Sequence, residues 1–181
     1  MMAGNLEGKR VAILVAHGFE KSELASPKQA LEDAGAEVRI ISPERGTVRS
    51  WYKGNWDEKW PVDVRVAEAN PDDYDALVLP GGVMNPDKLR QIPEAIRFVR
   101  AFFEADKPVA AICHGQVSLV EAGVASGRKM TSYKAIRTDL ENAGAIWVDE
   151  EVVVDGELVT SRHPGDLDAF NRELIKAVEN G

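Results

Sequence analysis

The chain has 181 residues, enough for one domain whose core needs no disulfide or metal staple. It carries 22 Lys and Arg against 30 Asp and Glu, a net charge of −8, which argues against nucleic acid as a stable partner and against an anionic membrane surface. A single cysteine excludes an internal disulfide, and no run approaches the roughly 18 apolar residues of a membrane span, so a soluble, cytoplasmic domain is expected.

Residues 1–8 read as a polar N-terminal tail without the apolar stretch of a secretory signal. "RVAILVA" (10–16) is a short, β-branched apolar run, as a strand buried on both faces requires. "SPKQALEDAG" then offers Ser26 as a helix cap, Pro27 at the first helical position and Gln29 to close a capping box. A second buried strand follows at 37–42, and residues 47–66 read as a hairpin turning at Lys53-Gly54-Asn55. The third and fourth buried strands are "DALVLPGG" (75–82) and "PVAAIC" (108–113). Between them, residues 93–106 place Ile96, Val99, Phe102 and Phe103 on one helical face. Residues 146–162 read as strands joined at Asp155-Gly156, and a last helix spans 166–179 with Asp166 as its cap. Gly35, Gly123 and Gly144 each follow a helical run and suit the left-handed helix stop. The alternation of strand and helix, undivided by any linker or repeat, predicts a single α/β domain over 1–181: a three-layer sandwich around a mainly parallel sheet.

Cys113 ends the fourth strand, and a helical pattern (Val117, Leu119, Val120) begins just after it. Ligands of open α/β sheets bind at the carboxyl ends of strands, and a strand–turn–helix is the setting of a nucleophile elbow. The positive end of a helix would also lower the thiol pKa and supply thiolate. The alternative is that Cys113 is a small buried hydrophobe, as most free cysteines are. His114 stands beside it, but neighbours along a helix do not face each other, so spacing does not favour a direct Cys113–His114 proton relay. Glu20 and Glu23 follow the first strand. A carboxyl held near a thiolate shares or keeps a proton and can act as general acid or base, whereas near a helix start it can simply complement the dipole. Gly81 and Gly82, after the third strand, allow close approach of backbone N–H groups to a developing oxyanion, though a Gly pair also makes a plain turn.

Seven stretches stand in order over about residues 9 to 178: "VAILVAHGFEKSEL", "EDAGAEVRIISP", "YDALVLPGG", "NPDKLR", "KPVAAICHG", "TSYKAIRTDLENAGA" and "DGELVTSRHPGDLDAF". Together they resemble the PfpI family of intracellular cysteine proteases and stress proteins, in the superfamily of the parkinsonism-associated protein deglycase. The resemblance implies a flavodoxin-like sandwich of the class I glutamine-amidotransferase type with Cys113 as nucleophile at its elbow. It implies that Glu23 hydrogen-bonds the thiolate, with Glu20 and Gly81 beside it toward substrate, and that the N–H groups of Gly82 and His114 form an oxyanion hole. In the protease-like branch His114 is oriented by an acid of a neighbouring subunit, which falls here on Asp87 if one residue is inserted.

His17 departs from the family pattern and reads as a substrate contact, an adventitious metal ligand or a surface histidine, while His163 sits on a loop that the resemblance places not far from the site and has no assigned role. Trp51, Trp56 and Trp60 read as packing or subunit-contact residues. Three functions follow from the resemblance: a glyoxalase or deglycase acting on methylglyoxal or glycated groups, a peptidase using Cys113, His114 and Asp87, and a non-catalytic redox sensor or chaperone. Each expects a homo-oligomer (dimer or hexamer), with no cofactor and no metal. The partners expected are a small aldehyde or a glycated protein or peptide.

Overall fold

The computed structural model describes residues 5–181. In chain order the elements are β1 (Arg10–Leu14), β2 (Phe19–Glu20), α1 (Lys21–Asp33), β3 (Glu37–Ser42), β4 (Thr47–Tyr52), β5 (Asn55–Pro61), β6 (Val64–Arg65), β7 (Ala76–Leu79) and α2 (Met84–Leu89). They continue with α3 (Pro93–Glu104), β8 (Val109–Ile112), α4 (Val117–Glu121), β9 (Lys129–Met130), α5 (Arg137–Asn142), β10 (Ile146–Trp147), β11 (Val153–Asp155), β12 (Leu158–Ser161) and α6 (Leu167–Asn180).

A seven-stranded sheet in the order β11-β12-β8-β7-β1-β3-β6 forms the middle layer. Every pairing in it is parallel except β11 with β12, which are joined by the expected turn at Asp155-Gly156. Alternation along β1 divides the core in two. Val11 and Ile13 pack toward α1 and α6 with Leu24, Leu31, Phe170 and Leu174. Ala12 and Leu14 pack toward α3, α4 and α5 with Val99, Phe102, Leu119 and Leu140. Because both faces are covered, the strands are apolar throughout, which is why they read as continuous runs rather than alternating ones. The three-layer α/β sandwich with a mainly parallel sheet is therefore present as expected.

The hairpin also forms as expected, with Lys53 and Gly54 at positive φ in its two-residue turn. It does not join the main sheet: β4 and β5 make a separate sheet with β2. Gly35, Gly123 and Gly144 all take positive φ after their helices.

Three expectations differ in detail. The helix α1 starts at Lys21 rather than at Pro27, and Glu20 occupies its N-cap without a side-chain cap hydrogen bond. Its first turn is set by burial of Glu23 and Leu24, so tertiary packing overrides the local signal, and Pro27 is carried inside the helix at the loss of one backbone donor. Asp166 does stand at the N-cap of α6, but its carboxylate accepts from the Arg162 guanidinium and backbone N–H instead of capping. Of the expected tail, residues 1–4 lie outside the described residues, while Leu6 is fully buried and its N–H donates to Ala34 O at 2.8 Å.

Phe102 is fully buried and meets Phe98 edge-on at 5.1 Å in the core beneath α3. Phe102→Ala should lower stability by about 3–5 kcal/mol in urea unfolding, through lost burial and a residual cavity. A loss under 1 kcal/mol would show that the α3 face repacks around the gap.

Candidate active site

The site is assembled at the carboxyl ends of β1, β7 and β8. Cys113 follows β8 and adopts φ 64, the left-handed region that a side chain rarely enters. Its N–H donates to Ser161 O at 3.1 Å and its carbonyl accepts from Tyr133 N–H at 3.0 Å, so both neighbouring segments hold the turn. Beneath it, the fully buried Gln116 donates from Nε2 to the carbonyls of Ala111, Thr131 and Ser161 at 3.2, 2.8 and 3.0 Å. The elbow predicted from the strand–turn–helix pattern is present.

The second wall is the turn after β7. A side chain at Gly81 would place its Cβ 2.6 Å from Glu23 Oε1 and 2.7 Å from Cys113 Cβ, so only glycine permits this approach. Asn85, fully buried on α2, fixes the turn by donating from Nδ2 to the carbonyls of Pro80 and Gly81 while Oδ1 accepts from Ala16 N–H. The backbone N–H groups of Gly82 and His114 both reach the Cys113 sulfur. These are the two donors expected for an oxyanion hole, and they converge on the atom beside which an oxyanion would form.

The third wall is Glu23, on the first turn of α1 and 0% exposed. Its Oε1 accepts from Gly81 N–H at 2.9 Å. Its Oε2 has no nitrogen or oxygen donor, and the Cys113 thiol is the neighbour that the carboxyl meets. Burial raises the Glu23 pKa to about 8, with the nearby Glu20 adding to the shift against the Gly81 hydrogen bond. Glu23 therefore holds its proton at neutral pH.

The thiol departs from the sequence expectation. Burial and the adjacent Glu23 push its pKa up, outweighing the Gly82 and His114 N–H groups, and the five-residue α4 does not produce a standing thiolate. A second departure concerns His114. Its Nδ1 lies 3.2 Å from Cys113 Sγ, because the left-handed turn at Cys113 breaks the helical geometry on which the contrary expectation rested. Burial lowers the His114 pKa, so the ring is a neutral base, and it stacks on Tyr133 with centroids 4.8 Å apart.

A pocket opens over the thiol, and Glu20, Glu23, Gly82, Cys113 and His114 all line it. So do Trp51, Tyr133 and His163, none of which the sequence assigned to the site. Trp51 arrives because β4 pairs with β2, register Glu20↔Trp51, and it also packs edge-on against Trp56 at 5.5 Å, in line with its reading as a packing residue. Tyr133 follows the two-residue β9, too short a strand to be legible. His17 does not line the pocket: its Nδ1 accepts from Arg49 N–H at 3.0 Å and its Nε2 lies 3.5 Å from Glu44, so it braces the loop to the hairpin. Asp87 is exposed on α2 and stands outside the pocket of its own chain. Among the described residues, no group of three or more His, Cys, Asp or Glu is arranged to hold a metal, and no helix is long and apolar enough to cross a membrane.

The Glu23 proton has a consequence for stability. Between the ordinary value of 4.5 and about 8 the folded chain retains a proton that the unfolded chain has released. Stability should therefore fall as pH rises through that window and level off above it. Urea midpoints for wild type should decline across the window relative to those of Glu23→Gln. Parallel curves for the two proteins would mean that Glu23 ionises as freely folded as unfolded.

Comparison with known proteins agrees with the fold. A protein named deglycase PfpI from Pyrococcus furiosus is 47% identical over 170 residues, covering 94% of this chain and 99% of that one. Among solved structures, Drosophila melanogaster DJ-1beta superposes with a TM-score of 0.86 at 28% identity, covering 96% of this chain and 91% of the other. A two-domain protein from Anabaena variabilis with DJ-1/ThiJ/PfpI-like and ferritin-like domains gives 0.86 at 40% identity, over 93% of this chain and 47% of that longer one. The model of the DJ-1/PfpI family matches residues 9–177, nearly the whole length, and the chain belongs to that family.

Proposed function

We propose that the protein is a cysteine-dependent enzyme acting on methylglyoxal, or on groups glycated by it, with Cys113 as nucleophile and Glu23 as proton shuttle. The observation that carries this reading is a fully buried carboxyl held against the only thiol, with the His114 ring 3.2 Å from the sulfur. The name of the Pyrococcus furiosus relative supports it.

The reaction follows from those protonation states. His114 Nδ1 takes the thiol proton as Sγ adds to the aldehyde carbon, and the N–H groups of Gly82 and His114 steady the alkoxide. Glu23 donates its proton to that oxygen and becomes a carboxylate. In that form it removes the hydrogen of the same carbon as a proton and returns it to the neighbouring carbon, whose ketone oxygen takes the proton held by His114, while the former aldehyde oxygen gives its proton back to Glu23. The product is a thioester of lactate, which water hydrolyses to lactate and free thiol. The sum is methylglyoxal plus water to lactate, with no change in the enzyme. For an adduct on a side chain the displaced group is the amine, guanidine or thiol that carried it.

Lactate formation from methylglyoxal, without added glutathione, tests this reading. Cys113→Ala should abolish it, and Glu23→Gln should lower kcat by at least about a hundredfold, the usual contribution of a positioned acid–base group. Full activity in Cys113→Ala would exclude the mechanism.

The 3.2 Å contact between Cys113 and His114 also favours a second reading, peptide hydrolysis. Asp87, exposed on α2, would then orient His114 of a neighbouring subunit within a homo-oligomer, a dimer or a hexamer. Peptide cleavage by the assembled protein, lost in both Cys113→Ala and Asp87→Asn, would favour it.

A further inference from the structure

A second cleft, of about 670 Å³, opens among α2, α3 and α4. Three arginines line it, Arg90, Arg97 and Arg100, against a single carboxyl group, Glu121. It shares no residue with the pocket over the thiol. In a chain of net charge −8, such a wall is a local reversal of sign. Outside the wall, Glu94 and Glu104 stand one turn to either side of the α3 arginines, and Asp87 and Lys88 offset each other on α2. Arg128, which lies over the Phe103 ring of α3, adds a further positive charge nearby.

None of the three lining arginines is firmly paired. Arg90, at the C-cap of α2, meets Glu121 at 3.3 and 3.4 Å, longer than the about 2.7–2.9 Å of a well-made charged hydrogen bond. Both side chains are more than a third exposed, so the pair is screened and worth little. Arg97 lies 3.8 Å from Glu94 and is 63% exposed. Arg100 donates from Nε to the Ala122 carbonyl at 3.0 Å, which anchors the guanidinium and leaves its two Nη groups unpaired among the described residues. By contrast, Arg137 and Arg162 meet carboxylates at 3.0 and 2.9 Å.

The positions suit a shared acceptor. Arg97 and Arg100 are three residues apart on α3 and so share a face, and Arg90 reaches the same cleft from α2. A guanidinium presents a planar fork of donors that matches the oxygens of phosphate. A phosphate monoester carries three strong acceptor oxygens where a carboxylate carries two, so it can serve three such forks at once. Pro93 and Ile96 supply the apolar part of the wall, and the volume falls in the range of about 300–1,000 Å³ that holds a small organic ligand rather than a bare ion.

We infer that this cleft binds a small organic phosphate monoester, its phosphate held by Arg90, Arg97 and Arg100 and its apolar body resting on Pro93 and Ile96. On binding, Arg90 exchanges Glu121 for the phosphate. Met84, at the start of α2, lines the thiol pocket, and Arg90, just past its end, lines this cleft, so the helix separates the two sites. The inference requires no turnover and does not depend on the thiol–carboxyl reading.

Isothermal titration calorimetry of the full chain with phenyl phosphate, at fixed ionic strength, reads the site directly. One molecule per chain should bind, at least about tenfold more tightly than phenol or inorganic phosphate. Arg97→Gln, which alters a largely exposed side chain, should weaken binding at least about fivefold while lactate formation stays at the wild-type rate. Glu121→Gln should tighten binding, because it releases Arg90. No saturable binding, equal binding of phenol or of inorganic phosphate, unchanged affinity in Arg97→Gln, or no tightening in Glu121→Gln overturns the inference. Binding abolished by alkylation of Cys113 would place the ligand over the thiol and overturns it too. Phenyl phosphate bound through Arg97 by a protein that forms no lactate would leave this inference standing and count against the thiol–carboxyl reading alone.

Discussion

The site depends on one residue forced into the left-handed region of backbone space. A non-glycine residue there costs about 1–3 kcal/mol and persists only where its surroundings over-determine it. Around Cys113 they do. Ser161 and Tyr133 hold its two peptide groups, Gln116 ties three carbonyls together underneath, and Gly115 leaves no side chain to collide with the backbone oxygens of Leu79, Pro80 and Ile112. The same turn aims the His114 N–H at the sulfur and lets the His114 ring fold back to within 3.2 Å of it. A residue with ordinary φ at position 113 would lose both relations together.

The second constraint is electrostatic. Glu23 and Cys113 lie in contact where neither is well solvated, and two negative charges there would repel without water to screen them. Both pKa values move up and the resting pair is neutral. On the proposed reading, reactivity resides in proton positions rather than in a preformed anion: a base for the thiol in His114, an acid for the developing oxygen in Glu23, and two backbone donors. Asn85 and Gly81 belong to the same arrangement, because the turn they shape presents the hydrogen bond that holds one Glu23 oxygen.

Much of this was legible in the residues because the fold is locally consistent. The buried parallel strands read as apolar runs, the helix stops read as glycines, and the hairpin turn read as Lys53-Gly54-Asn55, one residue longer than the two-residue turn that forms. The misread parts share a cause: tertiary contacts decide them. Ser26 and Pro27 make a sound local helix start, yet burial of Glu23 and Leu24 extends α1 by more than a turn. Asp166 is a good cap by type, yet Arg162 captures its carboxylate. Trp51 and Tyr133 reach the pocket through a short parallel pairing and a two-residue strand, signals too brief for periodicity to register. His17 drew notice by its chemistry and proves to brace a loop, while the His163 loop lies at the site as the resemblance implied.

The two sheets meet the thiol from different sides. Catalytic groups stand on the ends of the seven-stranded sheet and its helices, whereas Trp51 belongs to a hairpin attached through the two residues of β2. The hairpin's outer strand is largely exposed, so its sequence is under little packing restraint. Substitutions on that outer strand can therefore shift the hairpin that carries Trp51 while leaving the strained turn and Glu23 in place. The wall that Trp51 supplies and the turn that holds Cys113 thus belong to separate sheets, and a change in one need not disturb the other.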